Sequence, residues 1–441
     1  MKTFYKVLHK SGKSKARLGE IKTDHGIIKT PAFISAATKG TIKSLPPKLI
    51  KEIGIQAGCV NTYHLVTHPG AEIIKKAGGI HKYSQLDIPL MSDSGGFQVF
   101  SLSQKSKFKS QKYNPKVKSD QTRKTDIRDE EAPFVVKISE DGVKFRSTFD
   151  GALIEFTPEK SMEYQATIGA DINMAFDECT YYPATHEYAK KAMERTHKWL
   201  TRCIKYKASS QNFLSPAGTL PAGNGVSQVV KNFSHSPLPN NQIVHNQFLY
   251  GVIQGGTFED LRKKSAEFVV AQDTPGVAIG GVSVGESKKE MRDQVRWVSD
   301  FLPKDRPVHL LGVGQIDDII DLVKYGVDTF DCVEPTRLAR MGQIYKARHQ
   351  KFFDGKQQTA KNLVSSLSGQ TDITKGIYKT DLSPVDENCD CYVCKNFTKS
   401  YLHHLFKQRE ILGYTLATYH NLWVMERLFE RIREMVKKNL I

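Results

Sequence analysis

The sequence predicts an α/β protein, a (β/α)8 barrel with insertions and a C-terminal zinc-binding subdomain. Three observations carry that expectation. Short apolar runs alternate with amphipathic helical stretches along most of the chain, the pattern that builds a parallel sheet. About eight such runs occur, and 441 residues leave room for a closed barrel with an appended unit. Near the end, three cysteines fall within six positions, CDCYVC at 389–394.

The runs, in order, are KTPAFISA (29–36), AGCVNTY (57–63), IPLMSDSGGF (88–97), DINMAFDEC (171–179), FLYGVIQGG (248–256), GVAIGGVSVGE (276–286), VHLLGVG (308–314) and VDTFDCVEP (327–335). Between them the helical pattern is clearest over 186–205, where Tyr188, Ala192, Trp199 and Cys203 share a face, and over 288–302, with Met291, Val295, Val298 and Leu302. Three stretches break the rhythm. One lies near 104–132 and carries six lysines and no acid through residue 119; a second, 208–244, has Lys231 as its only charged side chain; a third spans about 348–380. They read as surface insertions, flexible or disordered. The predicted organisation is a catalytic barrel over 1–345 and a remainder, 346–441, holding the last insertion, the zinc-binding subdomain and C-terminal helices.

Cys389, Cys391 and Cys394 form a C-x-C-x2-C pattern, close enough for three thiolates to face one ion tetrahedrally. Histidine is the natural fourth ligand. His403 and His404 follow within ten residues, and His420 comes 26 residues after Cys394 on a long helical stretch over 399–436. The longer return clips two segments together and favours His420. A redox dithiol would need only Cys391 and Cys394, leaving Cys389 without a task. Four protein ligands leave no open position, so one structural zinc is expected.

Seven cysteines without paired spacing outside the cluster, no apolar leader and no run of eighteen apolar residues predict a cytoplasmic protein without a membrane span. Sixty-four Lys and Arg against 47 Asp and Glu give a formal charge of +17. That suits a phosphate-rich partner, and equally a solubilising surface.

Side chains at the C-terminal ends of barrel strands converge on one mouth. Asp93, Asp177, Gln254, Gly280, Gly281, Gly312 and Asp331 stand there. Each alone reads as a helix cap or a turn residue. Asp93, however, is followed by Ser-Gly-Gly and Asp331 by Cys-Val-Glu-Pro, neither of which opens as a capped helix. The absence of histidines from that set argues against a hydrolase with a catalytic metal. Paired carboxylates suit displacement at an anomeric carbon, one as nucleophile and one moving the proton of the leaving group. Gly95, Gly96 and Phe97 would admit a flat base.

The motifs MSDSGGFQVFSL (91–102), MAFDEC (174–179), GVIQGG (251–256), GGVSVGE (280–286), LLGVG (310–314), FDCVEPTR (330–337) and CDCYVC with YHN (419–421) resemble the tRNA-guanine transglycosylase (queuine tRNA-ribosyltransferase) family. NTYHL (61–65) and KFRSTFDG (144–151) agree, and the resemblance covers nearly the whole chain apart from the three insertions. It implies a (β/α)8 barrel with a zinc subdomain and an exchange of guanine at the tRNA wobble position for a 7-deazaguanine, in queuosine biosynthesis. Asp331 would then be the nucleophile and Asp93 the general acid/base. Ser94, Asp177, Gln254, Gly280 and Gly281 would hold the base, Phe97 would stack on it, and Arg337 and Arg340 would hold flanking RNA. Zinc would sit on Cys389, Cys391, Cys394 and His420. Cys179 and Val284 look like the bacterial form, which implies 7-aminomethyl-7-deazaguanine, a tRNA with a GUN anticodon and a homodimer. The alternatives are queuine-specific exchange, a catalytically silent tRNA-binding paralogue, and a nucleosidase acting on small substrates. Met341 and the longer segment after it depart from the family pattern.

Overall fold

A computed structural model of the chain describes residues 4–96, 134–147, 149–212, 246–347 and 369–441. Phe97, the lysine-rich stretch and residues 213–244 of the second insertion lie outside the described residues.

All eight apolar runs form the strands of one closed parallel barrel. They are β1 (Ala32–Ala36), β2 (Gly58–Val60), β3 (Leu90–Ser92), β4 (Ile172–Met174), β5 (Phe248–Ile253), β6 (Gly276–Ile279), β7 (Val308–Leu310) and β8 (Thr329–Cys332). The runs are apolar nearly throughout because each strand is buried on both faces. Inward side chains Ile34, Met91, Met174, Val252 and Ala278 fill the lumen. The ring closes where β8 pairs with β1, Asp331 opposite Ile34.

Below the barrel, an antiparallel sheet of Tyr5–Lys10, Arg17–Thr23 and Gly26–Thr30 covers the N-terminal mouth. Its anchor is Asp328, one residue before β8. Arg17 grips that carboxylate in a two-pronged contact of 2.9 and 2.6 Å, and the Tyr5 hydroxyl donates to it at 2.9 Å. Bidentate guanidinium pairing of this kind is both strong and geometrically specific. The opposite, C-terminal mouth is therefore the one left for chemistry.

The helix expected over 186–205 runs from His186 to Asn212, so the first residues of the second insertion continue it. The helix expected over 288–302 ends at Val298. Residues 369–380, expected within an insertion, are structured: Gln370–Asp372 pairs antiparallel with Gln343–Tyr345, and Ile373 behind it is fully buried. A three-residue strand is too short to show a period in the sequence.

The stretch expected as one helix over 399–436 is two, Lys399–Gln408 and Ile411–Lys437. Arg409 breaks it by entering the left-handed region at φ 58°, and the chain turns back there. Close packing fixes the turn, since a Cβ on Gly413 would lie 3.0 Å from Cβ of Leu405. The second helix packs along the outside of the β1/β8 seam. Phe429 lies 6.1 Å from Phe33 and 5.9 Å from Phe330, ring centre to ring centre.

Truncation of Phe429 to Ala should cost about 3–5 kcal/mol of stability. Chemical denaturation of the variant against the parent protein measures this directly, and a loss below about 1 kcal/mol would mean that the helix does not brace the seam.

Candidate active site and metal centre

Each carboxylate expected at the mouth is there: Asp93 one residue beyond β3, Asp177 three residues beyond β4, and Asp331 near the end of β8. Asp93 follows β3. Its Oδ1 accepts the Thr62 N–H at 2.9 Å and the Gly95 N–H at 3.1 Å, and its Oδ2 accepts from the Asn61 amide. Despite these donors, burial raises its pKa to about 7, and the charges of Asp331 and Asp177 push the same way. An acid poised near neutrality suits proton transfer in both directions. Asn61 and Thr62, which aim it, follow β2 in the NTYHL stretch but were not singled out from sequence; their position at a strand end was the available signal.

Asp177 is buried, and both of its oxygens are occupied: the Ser94 hydroxyl donates at 2.8 Å and the Gln254 amide at 2.7 Å. Burial raises its pKa, with those two bonds opposing. The Gln254 Oε1 is buried with no partner among the described residues. An unsatisfied acceptor beside a carboxylate–amide pair marks a site completed by a ligand that brings donors. Two glycines make the space. A Cβ on Gly281, at φ +62°, would fall 2.1 Å from Gln254 Oε1, and one on Gly96 would fall 2.5 Å from the Asp177 carbonyl oxygen. The Gly280 N–H is engaged by the Ile253 carbonyl at 3.0 Å, so donation to a ligand from this turn falls to Gly281.

The turn is held from beneath by Arg262, which sequence reasoning missed. Its fully buried guanidinium donates to the carbonyls of Gly280 at 2.6 Å, Gly281 at 2.8 Å and Gly256 at 2.8 Å, and to Gln294 Oε1 at 2.5 Å. It lies on a helix in sequence, and only the fold carries it under the two loops. The same turn is tied from above by Glu286, which accepts the N–H groups of Ser283, Val284 and Gly285 at 2.5, 2.8 and 3.1 Å. Cys179 is buried and Val284 half-buried.

Asp331 is the penultimate residue of β8. Its Oδ1 accepts the Gly312 N–H at 2.9 Å and lies 3.2 Å from Nε2 of His309. No hydrogen bond engages Oδ2 among the described residues, which leaves that oxygen for a reacting partner. Cys59, on β2, is pushed well up by burial and then by the charges of Asp331 and Asp93, so its thiol stays neutral and does not compete as a nucleophile. Just beyond Asp331, Arg337 is exposed on the helix Glu334–Arg340, while Arg340 donates to the Thr336 carbonyl at 2.9 Å.

The cysteine cluster is also assembled. Sulfurs of Cys389, Cys391 and Cys394 and a nitrogen of His420 lie within 4.8 Å of one another. His420 Nδ1 is 3.6 Å from Cys391 Sγ and 3.2 Å from Cys394 Sγ. Its Nε2 donates to the Tyr345 carbonyl at 2.8 Å, which fixes the tautomer and turns the lone pair of Nδ1 toward the thiols. This is a closed Cys3His donor set of the structural zinc type. The other two histidines are accounted for otherwise: His403 bonds the Ile373 carbonyl at 2.8 Å and His404 is exposed. A second group, His25, His81 and Asp171, sits at the N-terminal end of the barrel. Its imidazoles stack in parallel at 3.4 Å and 7° against one carboxylate, so their lone pairs do not converge on one ion.

Comparison with known proteins agrees with this geometry. The family model described as queuine tRNA-ribosyltransferase matches residues 11–440. A queuine tRNA-ribosyltransferase of Caldanaerobacter subterraneus subsp. tengcongensis is 40% identical over 435 residues, covering 99% of this chain and 94% of that relative. One from Thermoanaerobacter pseudethanolicus is 40% identical with the same coverage, and one from Lysinibacillus sphaericus is 38% identical, covering 99% and 92%.

Substitution of Cys391 by Ala should abolish stoichiometric zinc in the purified protein and lower its melting temperature; full zinc content at unchanged stability would refute the assignment of this cluster.

Proposed function

The chain belongs to the queuine tRNA-ribosyltransferase family, and from that premise we propose how its residues divide the reaction. It is a tRNA-guanine transglycosylase of the bacterial type, a glycosyltransferase of queuosine biosynthesis. In our reading the barrel over 1–345 is catalytic, and 346–441 holds zinc and the bracing helices. The substrate is a tRNA with a GUN anticodon, whose wobble guanine is replaced by 7-aminomethyl-7-deazaguanine.

Asp331 Oδ2 attacks C1′ of the ribose as the C1′–N9 bond to guanine breaks, and the departing base takes a proton from Asp93. The incoming deazaguanine then returns a proton to Asp93 as its own N9 attacks C1′ and the Asp331 carboxylate leaves. Two inversions give net retention, and the strand is never cut. The observation that carries this reading is the pairing of Asp93, poised near neutrality, with an Asp331 whose Oδ2 has no hydrogen-bond partner among the described residues.

Recognition follows from the exchange of partners at Asp177. On entry of the base, Asp177 accepts its N–H donors, Gln254 turns its amide to the carbonyl, and Gly281 donates to the same oxygen. Ser94 and Gly280 keep the geometry and the space. A buried site that requires such bonds rejects a base lacking them by roughly 10⁴-fold. Phe97 stacks on the base, and Arg337 and Arg340 meet the RNA beyond it, where the net charge of +17 favours a polyanion. Zinc on Cys389, Cys391, Cys394 and His420 is structural. No described helix is long and apolar enough to cross a membrane, and the reading places a homodimer in the cytoplasm.

Labelled guanine should enter an unmodified tRNA with a U-G-U anticodon loop, and Asp331→Asn should reduce incorporation to background; tight tRNA binding without incorporation by the parent protein would leave a binding protein only. Departure of guanine needs protonated Asp93, so formation of the covalent intermediate should slow about tenfold per pH unit above about pH 7. A flat profile across pH 5–8 would remove Asp93 from that role.

A further inference from the structure

We propose that His309 is a positioning residue for Asp331, holding the carboxylate through an N–H donor while the other imidazole nitrogen is fixed by Thr329. The proposal rests on the reading of Asp331 as nucleophile.

His309 lies on β7, in register with Thr329 of β8. Thr329 and Asp331 are two residues apart on one strand, so their side chains share a face. His309 and Thr329 are fully buried, which keeps water from standing in for either contact. The Thr329 hydroxyl is 2.9 Å from His309 Nδ1. Nε2 is 3.2 Å from Asp331 Oδ1 and, buried, has no hydrogen-bond partner among the described residues. An ionised carboxylate only accepts, so a contact with it requires the proton on Nε2; neutral imidazole then accepts at Nδ1, where a hydroxyl can donate. The chain of donors therefore runs from Thr329 through His309 to Asp331. The approach is not yet aligned in the free protein, as is common for bonds that tighten when substrate binds.

Gly312 and His309 both lie against the same oxygen, Oδ1. Together they would fix the carboxylate plane and aim Oδ2 at the ribose. In the first displacement that is orientation. In the second, the C1′–O bond breaks and the electron pair returns to Asp331, so a donor already on Oδ1 stabilises the leaving carboxylate. His309 does not exchange a proton with substrate in either step.

The test measures the denaturant-stable protein–RNA adduct formed with a stem–loop bearing U-G-U, and its breakdown by added guanine, for the parent protein, Asp331→Asn, His309→Phe, His309→Gln and Thr329→Val. We expect His309→Phe to slow both steps about 10²-fold with RNA and guanine affinities within about twofold. His309→Gln, which keeps an N–H donor, should recover most of the loss, and Thr329→Val should fall between. Parental rates in His309→Phe, or equal defects in the Phe and Gln variants, would overturn the proposal. If the Phe variant does not fold, parental rates in Thr329→Val overturn it instead. An adduct absent from the parent protein, or persisting in Asp331→Asn, would strike the nucleophile itself, an outcome distinct from failure at His309.

Discussion

Closure of the barrel between β8 and β1 is the constraint on which the rest depends. Asp331 sits in that seam, in register with Ile34, so the aim of its carboxylate is set by how well two strands far apart in sequence meet. Three supports converge there. Beneath, Arg17 and Tyr5 hold Asp328 at the strand's entrance. Outside, Phe429 packs against Phe33 and Phe330, one from each closing strand. The helix that brings Phe429 also carries His420, so the Cys3His cluster fixes the brace in place. A metal ion on these ligands acts on the chemistry through the seam rather than by contact with substrate, and Asn421 reinforces the link by bonding the Tyr345 N–H at 2.9 Å and the Gln343 carbonyl at 2.9 Å.

The base pocket follows a different logic. Asp177, Ser94 and Gln254 bind one another in the free protein, which stabilises a buried carboxylate that would otherwise be costly. A ligand that parts them must therefore offer replacement bonds, which the donors and carbonyl of a guanine edge supply in the recognition proposed above. Arg262 holds the Gly280–Gly281 carbonyls from behind, which fixes the turn beside these side chains.

The barrel was legible because parallel strands buried on both faces leave continuous apolar runs, and the carboxylates were legible because strand ends are where function collects. The cluster of Cys389, Cys391 and Cys394 spoke through spacing alone, with His420 chosen by reach. What stayed hidden depended on proximity through the sheet. Arg262 reads as one more charged residue on an amphipathic helix, yet it is fully buried. His309 stands inside a strand rather than at its end, and only the pairing of β7 with β8 brings it to Asp331. The break at Arg409 was invisible because a left-handed arginine has no sequence signature comparable to a glycine.

Burial opposes the charge of Asp93 and of Asp177, and the charges of Asp331 and Asp177 weigh further on Asp93. The neighbours of the three carboxylates are unequal. Asp177 has two side-chain donors, and Asp331 has the Gly312 amide with His309 beside it. Asp93 has donors as well, but burial and the two other charges outweigh them and bring it to about 7. On the division of roles proposed above, Asp93 is the acid that meets the leaving base, and its raised pKa holds there the proton that guanine needs on departure.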